Sequence, residues 1–253
     1  MGMTPDHGCF AWLLLLLLLA GCDHPTAPGP PAEVRIGQFV SAPGPVRVSL
    51  TGQDADSSLF TLSYAELTDY RTFAPGTYTV DVTAGGQHLL HESIGLGTGG
   101  RYSLLLAGIP QAGQETNQAT LSTRLHRIFE GAAARTDNDF LPQLFLQNDY
   151  FVSVPGKANL RATQLAPGVV PLDVVLKTPD QQTISLSQVA YGHSSDRERI
   201  NSGNYSATLH LAGSPQNLLE FQLELDTSTF TNLYILPATD RARLRVVTGK
   251  SAH

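Results

Sequence analysis

The sequence predicts an all-β chain: two tandem immunoglobulin-like β-sandwich domains, with a partly helical insertion in the first. Three observations predict it. Charged residues are only 15% of the 253, well under the roughly 25% of soluble domains, which disfavours a bundle with long Glu/Lys/Arg helix faces. Turn formers are abundant, with 23 glycines and 16 prolines. Past residue 33, short apolar alternations of strand length recur between those turns.

Composition also excludes several functions. The net charge is −6 and the isoelectric point about 5.7, so no nucleic-acid partner is expected. Cys9 and Cys22 both lie at the N-terminus. The body therefore has no disulfide framework and no cysteine-based zinc site.

Residues 1–21 read as a lipoprotein signal peptide. Residues 10–20 are apolar, with seven leucines from Leu13 to Leu19. That run is shorter than the roughly 20 residues a spanning helix needs, and it fits a secretory h-region. It ends in Leu19-Ala20-Gly21-Cys22, which resembles the lipobox of bacterial lipoproteins. The resemblance implies cleavage before Cys22 and a diacylglycerol on its thiol. One departure is the missing positive n-region, since the first Lys or Arg is Arg35. Residues 22–32, rich in Pro and Gly, read as a tether. Asp23 resembles an inner-membrane retention signal of enterobacterial sorting, but other phyla use acidic residues there without that meaning. The expectation is a cell-envelope location, with the outer membrane or cell surface favoured over the inner membrane.

Residues 33–155 form the first expected sandwich. Strands are predicted at 34–40, 46–50, 59–64, 69–73 and 77–82. Ala84-Gly85-Gly86-Gln87 is a hairpin turn, because glycine takes positive φ at little cost. Strands at 89–96 and 101–106 flank the Gly97-Thr98-Gly99-Gly100 turn. A closing strand covers 144–146. Residues 109–142 read as the insertion, polar at first and then with helical spacing over 121–134 through Leu121, Leu125, Ile128 and Phe129. Thr120 or Ser122 is its candidate cap.

Residues 156–253 form the second expected sandwich. Residues 34–50 align without gaps on 160–176, with Arg35/Arg161, Gln38/Gln164, Pro45/Pro171, Val48/Val174 and Leu50/Leu176 identical. Tyr64 and Asp69 match Tyr191 and Asp196, and Gly76 and Tyr78 match Gly203 and Tyr205. Leu89-Leu90 matches Leu218-Leu219. Collinear blocks of this kind predict a tandem duplication.

The pattern resembles the bacterial domain of unknown function 4397 family, found in tandem in exported proteins. Its strand V-R-F-V-H-A-S-P corresponds to Val34-Arg35 and Leu160-Arg161 here. Its P-A-G-T-Y-x-V-x-V corresponds to 74–82 and, in part, to 202–205. The family's first-strand histidine is replaced by Gln38 and Gln164. The resemblance implies an immunoglobulin-like sandwich and an envelope location, and no known reaction.

Few residues suggest a site. His88 and His91 are three apart, which on a strand puts them on opposite faces, away from a shared metal. The oxygen-rich stretches Asp54-Ala55-Asp56-Ser57-Ser58 and Asp137-Asn138-Asp139 lack the Gly and distant Glu of an EF-hand loop. Tyr78 and Tyr205 are expected at sheet corners, bonded to backbone. Asp69 and Asp196 read as turn or edge residues, and 197–199 as a solvated charge run. There is no G-x-S-x-G, Walker loop or strand–helix G-x-G-x-x-G. The chain is thus expected to be no enzyme, with no catalytic residue, metal or cofactor. Its one assigned site is Cys22 for lipidation. Its partners are the membrane, through the anchor, and an envelope glycan or protein. The expected role is binding or scaffolding. The alternatives are a carbohydrate-binding or adhesion module and, behind it, an envelope hydrolase.

Overall fold

Where Val-Arg-Val-Ser-Leu alternates in sequence, the backbone is a strand that buries Val46, Val48 and Leu50 and exposes the residue between the valines. The computed structural model describes residues 29–53, 57–110, 140–178, 182–238 and 243–252. The signal peptide, most of the tether, Asp54, Asp56, and Asp137 and Asp139 lie outside them, as does the helix expected over 121–134.

The described chain is all-β, in four sheets. Its first half contains β1 (Ala32–Val40), β2 (Val46–Gly52), β3 (Ser57–Leu62), β4 (Glu66–Leu67), β5 (Arg71–Phe73), β6 (Gly76–Ala84), β7 (Gln87–Leu96), β8 (Arg101–Gly108) and β9 (Gln143–Asn148). Its second half contains β10 (Lys157–Gln164), β11 (Leu172–Lys177), β12 (Thr183–Val189), β13 (Glu198–Asn201), β14 (Gly203–Leu211), β15 (Asn217–Leu225), β16 (Thr229–Pro237) and β17 (Leu244–Ala252). An inner sheet, β4-β1-β8-β9 with β5 also on β1, faces an outer sheet, β3-β2-β6-β7. The second half has the same plan, β13-β10-β16-β17 facing β12-β11-β14-β15. In each inner sheet the central pair is parallel, β1 with β8 and β10 with β16.

Burial shows how the layers stack. β2, β6, β11 and β14 alternate, as strands with one wet face do. β1, β8, β10 and β16 are buried at almost every position. Their first face packs on their own outer sheet, through Val34, Ile36, Leu104 and Leu106 in one half and Leu160, Ala162, Leu233 and Ile235 in the other. Their second face packs on the other inner sheet. There Phe39, Leu105 and Ala107 meet Leu165, Tyr234 and Leu236, and Phe39 and Tyr234 lie ring to ring at 5.4 Å. Each fully buried large apolar side chain contributes about 1.5–3 kcal/mol. The order across the molecule is outer, inner, inner, outer.

One local feature corrects the sequence expectation. On β7, Val82 pairs with Leu90 but Thr83 pairs with His88, so Leu89 is an extra, bulged residue. Leu89 and Leu90 both pack on the core. Two adjacent leucines cannot both face inward on a regular strand, and the bulge resolves that conflict. His88 and His91 consequently lie on the same outward face, not on opposite ones.

Candidate functional site

A densely bonded group of polar side chains lies between the two inner sheets. Arg35 on β1 and Arg161 on β10, the matched arginines, both point into the seam. Asp149, just after β9, is fully buried between them. Its Oδ1 accepts from Arg161 Nη2 at 2.6 Å, and its Oδ2 from Arg35 Nη2 at 3.5 Å. Oδ2 also accepts from Tyr70 (2.8 Å) and Ser103, and Oδ1 from Asn232 Nδ2 (3.3 Å). The arginines are held in parallel ways. Arg35 donates through Nε to Ser103 at 2.7 Å, and Arg161 through Nε to Asn232 at 2.8 Å. Carbonyls complete the shell, Lys250 O for Arg35 and Asn148 O for Arg161.

Charge and burial set the titration behaviour. Burial opposes the charge on Arg35, yet Tyr234, Tyr70 and Asp149 together hold its pKa above the ordinary value. Burial first, and the Asp149 charge second, push the Tyr70 phenol well above its ordinary value of 10. Burial does the same to Tyr234, against Arg35. Raised phenol pKa values give stability that is complete below the unfolded value and is lost as pH rises towards the folded value, because only the unfolded chain ionises. Stability is therefore expected to fall between about pH 10 and pH 12. Urea unfolding at stepped pH checks this, and a decline equally steep in a Tyr70→Phe, Tyr234→Phe chain would refute it.

Arg35, Asp149 and Arg161 are buried, so the cluster fixes geometry between the two halves. The sequence reading matched Arg35 with Arg161 and missed Asp149, whose Asn-Asp-Tyr setting reads as a turn. The two interior arginines were the signal, since buried guanidinium groups need a counter-charge.

The other candidates are placed as follows. Tyr78 donates to Ala74 O at 2.9 Å, and Tyr205 to Asn201 O at 2.6 Å, so both hold sheet corners through backbone. Asp69 and Asp196 are exposed. The residues before them hold the edge: Thr68 Oγ1 joins Ile36 N to Asp69 O, and Ser195 Oγ joins Ala162 N to Asp196 O. Gln38 and Gln164 are fully buried and close the loops after β1 and β10, through Val40 in one and Ala166 and Val169 in the other. The run 197–199 is not wholly a solvated edge. Arg197 lays its guanidinium over Phe230 at 4.4 Å and donates to Tyr150 O and Asn148 O, because the seam offers an aromatic face and accepting carbonyls.

A surface pocket of about 380 Å³ opens at the seam, lined by Glu33, Gly99, Arg101, Tyr150, Phe151 and Ala252. Arg101 is engaged there, with Glu33 Oε2 at 3.1 Å and the Ala252 carbonyl. His88, His91 and Asp81 converge elsewhere, on the face of the first outer sheet.

No protein-family model matches the chain, and no curated protein matches it either. Among solved structures, the C-terminal domain of AlgF from P. aeruginosa aligns at 23% identity over 38% of this chain and 99% of its own, with a TM-score of 0.29. The tip fimbrial protein Mfa3 from Porphyromonas gingivalis aligns at 8% identity over 88% and 100%, with a TM-score of 0.27. A family CBM26 module of Amy13K from Eubacterium rectale aligns at 8% identity over 87% and 97%, with a TM-score of 0.25. Likeness at this level says nothing about what the chain binds.

Proposed function

We propose that this chain is a lipid-anchored bacterial cell-envelope protein, a non-catalytic binding or scaffolding module that holds one loop-rich end away from the membrane. One observation carries the reading. The tether and the insertion join opposite ends of the same parallel strand pair. The tether arrives at the start of β1, where Pro30 O accepts from Gly99 N at 2.9 Å. The insertion leaves from the far end of β8, where Ile109 N donates to Phe140 O at 2.8 Å. The nine residues of β1, at about 3.3 Å each, separate these points by roughly 26 Å. The second sandwich points the same way, since Tyr64 donates to Pro237 O at the far end and Arg101 to Ala252 O at the near end.

The buried Arg35–Asp149–Arg161 cluster suits a scaffold, because it ties both halves into one body. The repeated strand order, and a bulge at the same place in β14–β15, support reading the halves as tandem copies of one immunoglobulin-like domain. The location is the envelope, at the outer membrane or cell surface. The partner at the far end is an envelope glycan or protein. A carbohydrate-binding role is the second reading, favoured by the exposed Tyr150 at the rim of the seam pocket.

The anchor is tested with a clickable fatty acid fed to cells making the full chain. The expected label disappears in Cys22→Ala. An unlabelled wild-type chain, or label that survives Cys22→Ala, overturns the anchor.

A further inference from the structure

We propose that Asp81, His88 and His91 form a binding site for a divalent transition-metal ion of the zinc type. One ligand atom from each lies within 4.8 Å of the others. His91 Nδ1 is 2.6 Å from Asp81 Oδ1, and His88 Nε2 is 3.7 Å from the same oxygen. A tetrahedral zinc ion with ligands at about 2.0–2.1 Å places them roughly 3.3 Å apart. The two spacings to Asp81 Oδ1 bracket that value, and all three pairs stay within 4.8 Å.

The backbone builds this convergence. Asp81 on β6 faces His91 directly across the ladder. The bulge at Leu89 then returns His88 to the outward face, beside His91. Without it, His88 would point into the core. The imidazole rings stand 6.3 Å apart, centre to centre. All three side chains are between 40% and 63% exposed, so an ion reaches them without opening the fold.

The second sandwich isolates what is specific here. It has the same bulge, at Leu218 between Asn217 and Leu219, opposite Leu209 and His210. The positions of Asp81, His88 and His91 hold Thr208, Asn217 and Glu220 there, with neither histidine. The bulge therefore belongs to the strand pair, and the ligands were placed on it in one copy only. Two imidazoles and a carboxylate suit zinc over calcium or magnesium, which prefer all-oxygen shells. Three protein ligands leave a fourth position open, for water or for a side chain of a binding partner. The site lies near the Gly85-Gly86 turn, at the same end of the molecule as the end of β8, where the insertion begins, since Ala84 pairs with Val46 at the start of β2.

The test is calorimetric titration of Zn²⁺ into the lipid-modified chain in detergent. If Cys22 carries no lipid, the Cys22→Ala chain is used, so a failed anchor leaves the metal result intact. One Zn²⁺ per chain is expected to bind, with Ca²⁺ much weaker. His88→Asn and His91→Gln are each expected to weaken binding by more than about ten-fold, and neither should change the melting temperature without metal. A wild-type chain that binds no Zn²⁺, variants that bind as tightly as wild type, or Ca²⁺ binding as tight as Zn²⁺ would each overturn the site.

Discussion

Asp149→Ala is expected to destabilise the chain by about 3–5 kcal/mol, the cost of breaking a buried ion pair from one side. The carboxylate is the only anion among the described residues of the cluster, and it stands between two guanidinium groups. Removing it leaves Arg35 and Arg161 facing each other with the Ser103 and Tyr234 hydroxyls, carbonyls, amides and aromatic rings as their remaining partners. Those groups soften the charge, and two rings are close: Arg35 lies over Tyr70 at 4.8 Å, and Arg161 over Phe230 at 5.0 Å. They do not neutralise it. Urea unfolding of the single variant measures the loss. Adding Arg35→Met should restore part of it, because an apolar side chain removes one orphaned charge and a coupled pair is not additive. A loss under about 1 kcal/mol for Asp149→Ala alone would show that the seam is more hydrated than its burial implies.

Much of the fold is legible in sequence because its signals are local. Alternation at 46–50 and 77–82, and the glycines between strands, give strand positions without knowledge of their partners. The stacking of four sheets is less legible. It depends on which strands are covered twice, and the stretch from Val34 to Val40 shows this only through apolar residues at both parities. Asp149 is invisible for a related reason. Its role is fixed by two arginines lying 114 and 12 residues away in sequence. The histidine pair fails differently. A three-residue spacing implies opposite faces only on a regular strand, and in His-Leu-Leu-His both leucines pack on the core, which a regular strand does not allow. The same pair of leucines recurs at 218–219, so the clue was present twice.

Gly108→Ala is expected to cost at least about 1–3 kcal/mol from the backbone alone, with a steric contribution on top. Gly108 has φ of +131°, a conformation that L side chains rarely adopt. A Cβ there would meet the Leu141 carbonyl oxygen at 2.6 Å and the Phe140 oxygen at 2.8 Å. Those atoms are backbone, so no rotamer change relieves the contact. The two arms at the root of the insertion meet at this point, tied by Ile109 N to Phe140 O, while Ser41 N donates to Gly108 O at 3.0 Å. Spreading the arms would loosen β9 from β8 and disturb Phe140, which packs edge-on against Tyr191 at 5.1 Å, across to the other sandwich. The loss should therefore appear as earlier hydrogen exchange in β9 than in β2 or β6, together with a lower unfolding midpoint. Gly86→Ala is the matched comparison. Its φ is +81°, but its Cβ would meet nothing within 4 Å, so only the backbone cost applies. If both substitutions cost the same and β9 stays protected, the root of the insertion is not a close-packed crossing, and the far end of the molecule is less rigidly held than its geometry states.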